Sequence, residues 1–202
     1  MSGPTDTPLY PFRESPSQTA GPYVHIGLTP NFCGIQGVYE TDLGIAMVND
    51  KTKGERITLE GRVIDGGGNL IKDALVEIWQ ADADGHYRSR GEPEFSGWGR
   101  CPADAETGVF RFDTIKPGRV RFPDGRLQAP HINIWIVARG INLGLNTRIY
   151  FEDEVEANAD DPVLGRIEHR DRVTTLVAKG GSGVYTHDIY LQGPQETVFF
   201  DI

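Results

Sequence analysis

Methionine and cysteine are scarce, with two of each in 202 residues. Cys33 and Cys101 stand in no metal-knuckle or redox spacing. That excludes a zinc module and a disulfide-stapled scaffold, and it leaves two reduced thiols in a cytoplasmic protein as the expectation. Positive charge is also short. The formal net charge is -9, and the arginines are scattered without a run, which argues against nucleic acid or an anionic membrane as partner. No apolar run approaches the ~20 residues of a membrane span. Met1 to Pro11 lacks the basic-then-apolar order of a signal peptide. There is no long amphipathic helix and no internal repeat. The usual enzyme signatures are missing too. Gly66-Gly67-Gly68 has neither the lysine nor the following helix of a phosphate loop, so it reads as a turn. No nucleophile elbow and no thiol–imidazole pair can be found.

What is present is a turn-rich, strand-rich chain. It has 25 Gly and 13 Pro, with 38% hydrophobic and 24% charged residues, the balance of an ordinary globular domain. The clearest element runs from Ala129 to Gly140. Pro130 opposes a helix before it and Gly140 breaks it after. Ile132, Ile134, Ile136 and Ala138 fall on one face, and Asn133, Trp135, Val137 and Arg139 on the other. Both faces are mostly apolar in the middle, which predicts a central strand covered on both sides. His131 and Asn133 sit at one end of it and Arg139 at the other.

Further strands are predicted over 56–65, 74–80, 108–115, 146–151, 174–179, 184–192 and 197–201. Residues 88–99 read as a loop and 152–159 as a short solvated helix. Asp82-Ala83-Asp84-Gly85 reads as a plain turn, since the later ligands of a calcium loop are missing. The fold class that follows is all-β: an antiparallel β-sandwich with an extended N-terminal arm and short helical turns. Residues 1–52 read as the arm and an irregular segment, with one turn of helix near 38–43. Residues 53–202 read as the domain. Pro16 and Pro22 favour an extended arm that packs on another surface.

Several strings, spread in order over almost the whole chain, carry a resemblance. They are Thr19-Ala20-Gly21-Pro22-Tyr23, Leu75-Val76-Glu77-Ile78-Trp79-Gln80-Ala81-Asp82, Thr114-Ile115-Lys116-Pro117-Gly118, Ala129-Pro130-His131-Ile132-Asn133, Ala138-Arg139-Gly140-Ile141-Asn142 and Glu196-Thr197-Val198-Phe199-Phe200-Asp201. Together they resemble the intradiol ring-cleavage dioxygenases. The resemblance implies a ferric ion held by two tyrosinates and two histidines, hard anionic oxygens suiting a trivalent ion. It also implies where those ligands fall. The paired histidines become His131-Ile132-Asn133, so the second is lost. One tyrosine position, two residues after Lys116-Pro117-Gly118, is Val120. The other is sought between Tyr87 and Gly97, where no tyrosine stands.

The chain therefore looks like an α-type subunit that binds no metal itself. A homologous β chain would hold the Fe(III), in a higher-order αβ assembly. This chain would complete the cavity in which protocatechuate is cleaved by O2 to 3-carboxy-cis,cis-muconate, a step of aromatic catabolism. It is not expected to be active alone. The same resemblance assigns Thr19, Gly21, Pro22, Tyr23 and Arg139 to the substrate cavity. A guanidinium suits the carboxylate of protocatechuate, and a tyrosine suits its ring. The bland alternatives are an ion pair for Arg139 and interface packing for Tyr23. Two rival readings of the whole chain remain: a self-sufficient catechol-type dioxygenase, against which the missing ligands count, and a non-catalytic sandwich binding module.

Overall fold

The computed structural model describes Thr19, Gly21, residues 23–87 and residues 94–201. Nine strands are found among these: β1 Arg56–Ile64, β2 Leu75–Gln80, β3 Trp98–Pro102, β4 Val109–Ile115, β5 His131–Val137, β6 Leu145–Phe151, β7 Val177–Gly181, β8 Val184–Thr186 and β9 Ile189–Tyr190. They form one continuous path, β3-β2-β5-β6-β7-β8-β1-β4, with β9 beside β1. The path folds into two layers, β3-β2-β5-β6 and β7-β8-β1-β4, with the apolar core between them.

The predicted antiparallel sandwich is found, with three short parallel pairings, β6–β7, β1–β8 and β1–β9. β3 and β4 join the two ends of the path through one hairpin, where Asp104 N–H donates to Val109 O. The sheet is thus nearly closed.

β5 is where the alternation placed it. It pairs with β2 on one side and β6 on the other. Ile132, Ile134 and Ile136 are fully buried in the main core with Leu59, Val76, Ile78, Phe110, Phe112 and Ile149. A second, smaller cluster of Ala129, Tyr150, Ala157, Leu164 and Leu176 closes the His131 end. At roughly 25 cal/mol per Å² of apolar area, each such isoleucine contributes on the order of 1.5–3 kcal/mol.

Several local expectations are corrected. β3 lies partly in the span read as a loop; it is made by pairing with β2, register Trp79↔Trp98 to Leu75↔Pro102. Residues 170–176 form a 3₁₀ turn before β7, and of 197–201 only Phe200 makes a ladder contact, with Asn146. No helix forms near 38–43.

Instead Tyr23–Leu28 is a short helix, α1, where an extended arm was expected. A proline ahead of a first helical turn does not oppose it. Thr29 closes it, with its amide and hydroxyl both donating to His25 O. One side of α1 docks on the domain: His25 is buried, its Nε2 donates to Asp73 O at 3.0 Å, and Arg100 Nη1 donates to Leu28 O at 3.2 Å. α2, Val155–Ala159, is the short helix expected. Among the described residues no helix is long and apolar enough to cross a membrane.

Candidate functional site

The two ends of β5 carry two separate sets of polar residues, with roughly 20 Å of strand between them at about 3.3 Å per residue. The His131 end is built by a close approach of two turns. Asp82 Oδ1 accepts the amides of Asp84 and His86, a carboxylate spent on its own turn. A Cβ on Gly118 would meet Ala83 O at 2.4 Å and Gly85 N at 2.5 Å; one on Gly85, whose φ is +82°, would meet Arg119 O at 2.2 Å. Only glycine at both positions lets the 116–120 turn lie on the 82–87 turn. Val120 follows directly, its carbonyl accepting Gln128 N–H just before β5. The Tyr87 ring lies parallel to that of Trp79, centroids 6.3 Å apart.

His131, Asn133 and Tyr87 form a hydrogen-bonded triad. Nδ1 of His131 donates to Ala129 O at 2.8 Å, so in the neutral ring Nε2 is an acceptor. The Tyr87 hydroxyl lies 3.2 Å from that Nε2 and donates to it. The Asn133 amide in turn donates to the Tyr87 oxygen at 2.7 Å and to Trp79 O at 3.0 Å. Burial, helped by the Arg148 cation, pushes the His131 pKa down to about 4. Burial also pushes the Tyr87 hydroxyl up, against the opposing pull of Asn133 and Arg148. The ring is neutral imidazole and the phenol keeps its proton. Asp161 braces the end of the strand, its carboxylate accepting the amides of Ala129, Val163 and Leu164.

Tyr87 precedes the loop in which a ligand tyrosine was sought and is not one of the expected ligand positions; its contact with His131 was not anticipated. Residues 88–93 of that loop lie outside the described residues. The sequence signal was available in Gly85-His86-Tyr87, which follows directly on the Trp79 strand, but the contact with His131 spans 44 residues.

At the other end, Thr19 is tied to the strand's exit. Its hydroxyl donates to Ala138 O at 3.0 Å and accepts from Gly140 N–H at 3.0 Å. Gly21, at φ +60°, turns the chain into α1, and its carbonyl accepts Val24 N–H. Tyr23 is 78% exposed. The Arg139 side chain is 70% exposed, and its Nε donates to Asp73 Oδ2 at 3.0 Å. Thr19, Gly21, Tyr23 and Arg139 thus share one rim, and Pro22 lies outside the described residues. Val120, His131 and Asn133 share the opposite end. The arm from Thr19 onward also contacts its own domain, where it was expected to pack on another surface.

A family model described as Dioxygenase matches residues 29–193. The chain belongs to the intradiol dioxygenase family. It is 44% identical over 200 residues to the protocatechuate 3,4-dioxygenase alpha chain of Pseudomonas putida, covering 96% of this chain and 99% of that one. It is 37% identical to the alpha chain from Burkholderia cepacia, covering 94% and 98%. The beta chain from Burkholderia cepacia is 35% identical over 75% of this chain and 71% of its own length. Among solved structures, 3-chlorocatechol 1,2-dioxygenase from Rhodococcus opacus 1CP superposes with a TM-score of 0.54 at 24% identity, covering 77% and 68% of the two chains; this likeness shows the fold.

Intradiol dioxygenases use non-haem iron. The residues at the His131 end do not fit such an ion. Nε2 of His131 accepts from a phenol that keeps its proton, Asn133 turns its donor side inward, and Val120 has no donor atom. Two bases aimed at one point would suit a metal, whereas here a proton lies between them. Among the described residues no group of three or more His, Cys, Asp or Glu is arranged to hold a metal.

Proposed function

We propose that this chain is the alpha subunit of a protocatechuate 3,4-dioxygenase, acting in the cytoplasm with a homologous beta chain that holds the Fe(III). The observation that carries the reading is the His131–Asn133 pair, in which an amide stands at the second histidine position and both side chains are hydrogen-bonded to the Tyr87 hydroxyl. It is supported by end-to-end similarity to two proteins named as alpha chains. The complex inserts both atoms of O2 between the hydroxyl-bearing carbons of protocatechuate, giving 3-carboxy-cis,cis-muconate. On this reading Thr19, Gly21, Pro22, Tyr23 and Arg139 wall the cavity of the partner, far from the chain's own triad.

The surface of the arm and irregular segment supports a partner on this side. Eight of the fourteen exposed large hydrophobic side chains among the described residues fall within 23–45, including Tyr23, Ile26, Phe32, Val38 and Ile45. Such a concentration is what an interface core requires. Phe32→Glu with Ile45→Glu should weaken αβ association by at least about tenfold, since a desolvated carboxylate at an interface costs more than 1.4 kcal/mol. Sedimentation of the mixed chains is the check, and unchanged association would remove this face from the interface.

The purified chain alone is expected to bind no iron in stoichiometric amount and to be colourless. Metal analysis finding about one tightly held ion per chain would overturn the assignment of iron to the partner. The decisive experiment is co-expression with a candidate beta chain. It should yield a coloured complex that consumes O2 with protocatechuate, and the alpha chain without its partner should give neither colour nor turnover.

A further inference from the structure

We infer that Asp73 is the positioning residue for Arg139, aiming the guanidinium outward toward an anionic group on the partner's side; this rests on the proposed role of Arg139. Asp73 stands just before β2 and is tied down by both its backbone and its side chain. Its carbonyl accepts from His25 Nε2 of α1, and its carboxylate accepts from Arg139 Nε at 3.0 Å through Oδ2. The side chain of Asp73 is 25% exposed against 70% for Arg139. The acid is the fixed member of the pair and the base the mobile one.

The pair is single-pronged. A carboxylate that neutralised an arginine would take two donors of the fork in parallel. Here it takes Nε alone, and among the described residues neither Nη has a hydrogen-bond partner. Held at Nε, a planar guanidinium turns the edge formed by its two Nη groups away from the acid, and that edge remains for a second, bidentate anion. The rim around them is the one fastened by Thr19 to Ala138 and Gly140. Asp73 therefore joins α1, the exit of β5 and the guanidinium in one unit.

Asp73 acts through geometry and against charge, since a carboxylate near the site repels a carboxylate ligand. Removing its oxygens and removing only its charge should therefore have different effects. In the αβ complex, Asp73→Ala should raise KM for protocatechuate about twofold to fivefold, the scale of an exposed ion pair, with kcat unchanged. Asp73→Asn, which keeps an acceptor for Nε, should leave KM unchanged or lower it. Catechol, lacking the carboxylate, should respond to neither. In a double-mutant cycle, Asp73→Ala should add nothing on an Arg139→Ala background.

A silent Asp73→Ala, or losses that add to those of Arg139→Ala, would overturn the positioning role while leaving the Arg139 assignment intact. Equal losses on both substrates from Arg139→Ala would instead sink the underlying reading. A drop in assembly with Asp73→Ala, unrepaired by Asp73→Asn, would mark the pair as a structural tether only.

Discussion

Lowering the pH from 6.5 to about 4 is expected to strip several kcal/mol from the stability of this chain, much of it above the range in which ordinary carboxylates titrate. The cause is two histidines buried in neutral form. Burial holds His131 and His187 each to a pKa of about 4, against an ordinary value of 6.5. For His131 the Arg148 cation adds to the depression, and Ala129 O and Asp161 oppose it. For His187 the opposing groups are the Val177 carbonyl and Asp188.

The sign is fixed by which state binds the proton. Between pH 6.5 and 4 the unfolded chain takes up a proton at each histidine that the folded chain refuses, so stability falls as pH drops through this window and levels off below it. At about 1.4 kcal/mol per pKa unit, each histidine accounts for on the order of 3 kcal/mol. Urea unfolding at pH 7.5, 5.5 and 4.5 measures this directly. His187→Phe should remove about half of the pH dependence, and a midpoint that is flat across the window would show that neither ring is held neutral.

The same two rings show what could be read from the sequence. His131 was singled out because a strand with Ile132, Ile134 and Ile136 on one face puts it at a strand end, and period-2 alternation survives any tertiary context that buries that face. His187 gave no signal. Its burial comes from the parallel crossing of 187 past β1, where a Cβ on Gly61 would meet His187 O at 1.8 Å. Parallel pairings between strands over 120 residues apart leave no local mark.

β3 was missed for a related reason. Trp98-Gly99-Arg100-Cys101-Pro102 has little strand propensity, and it is a strand because β2 lies beside it. Its Arg100 is held by Glu77 on that neighbour, Nη2 to Oε1 at 2.7 Å. α1 was missed because six residues are too few for a helical period. The Tyr87 contact was missed because Tyr87 stands outside the loop searched for a ligand and meets His131 only in three dimensions. The partner of His131 is instead delivered across 44 residues by the glycine contact of two turns and by the Trp79 ring. The rim of Thr19, Gly21, Tyr23 and Arg139 came from resemblance alone; the hydrogen bonds of Thr19 give it a physical frame.

That rim yields the sharpest functional test. Replacing Arg139 with alanine should raise KM for protocatechuate by about tenfold to a hundredfold in the αβ complex, the loss of a charge-assisted hydrogen bond being worth roughly 1.5–3 kcal/mol. The guanidinium cannot donate a proton at neutral pH, so kcat should hold. Catechol, without a carboxylate, should bind nearly as well to the variant as to the parent. The ion pair with Asp73 does not compete with this role. An exposed pair contributes at most about 1 kcal/mol, less than the substrate bond is asked to supply, and it occupies Nε while leaving the Nη1–Nη2 edge unpaired among the described residues. If Arg139 served only that pair, alanine would cost both substrates alike and by little. A loss larger than tenfold confined to the carboxylated substrate is therefore the result that places the guanidinium at the cavity, and a small, substrate-blind loss is the one that returns it to the surface.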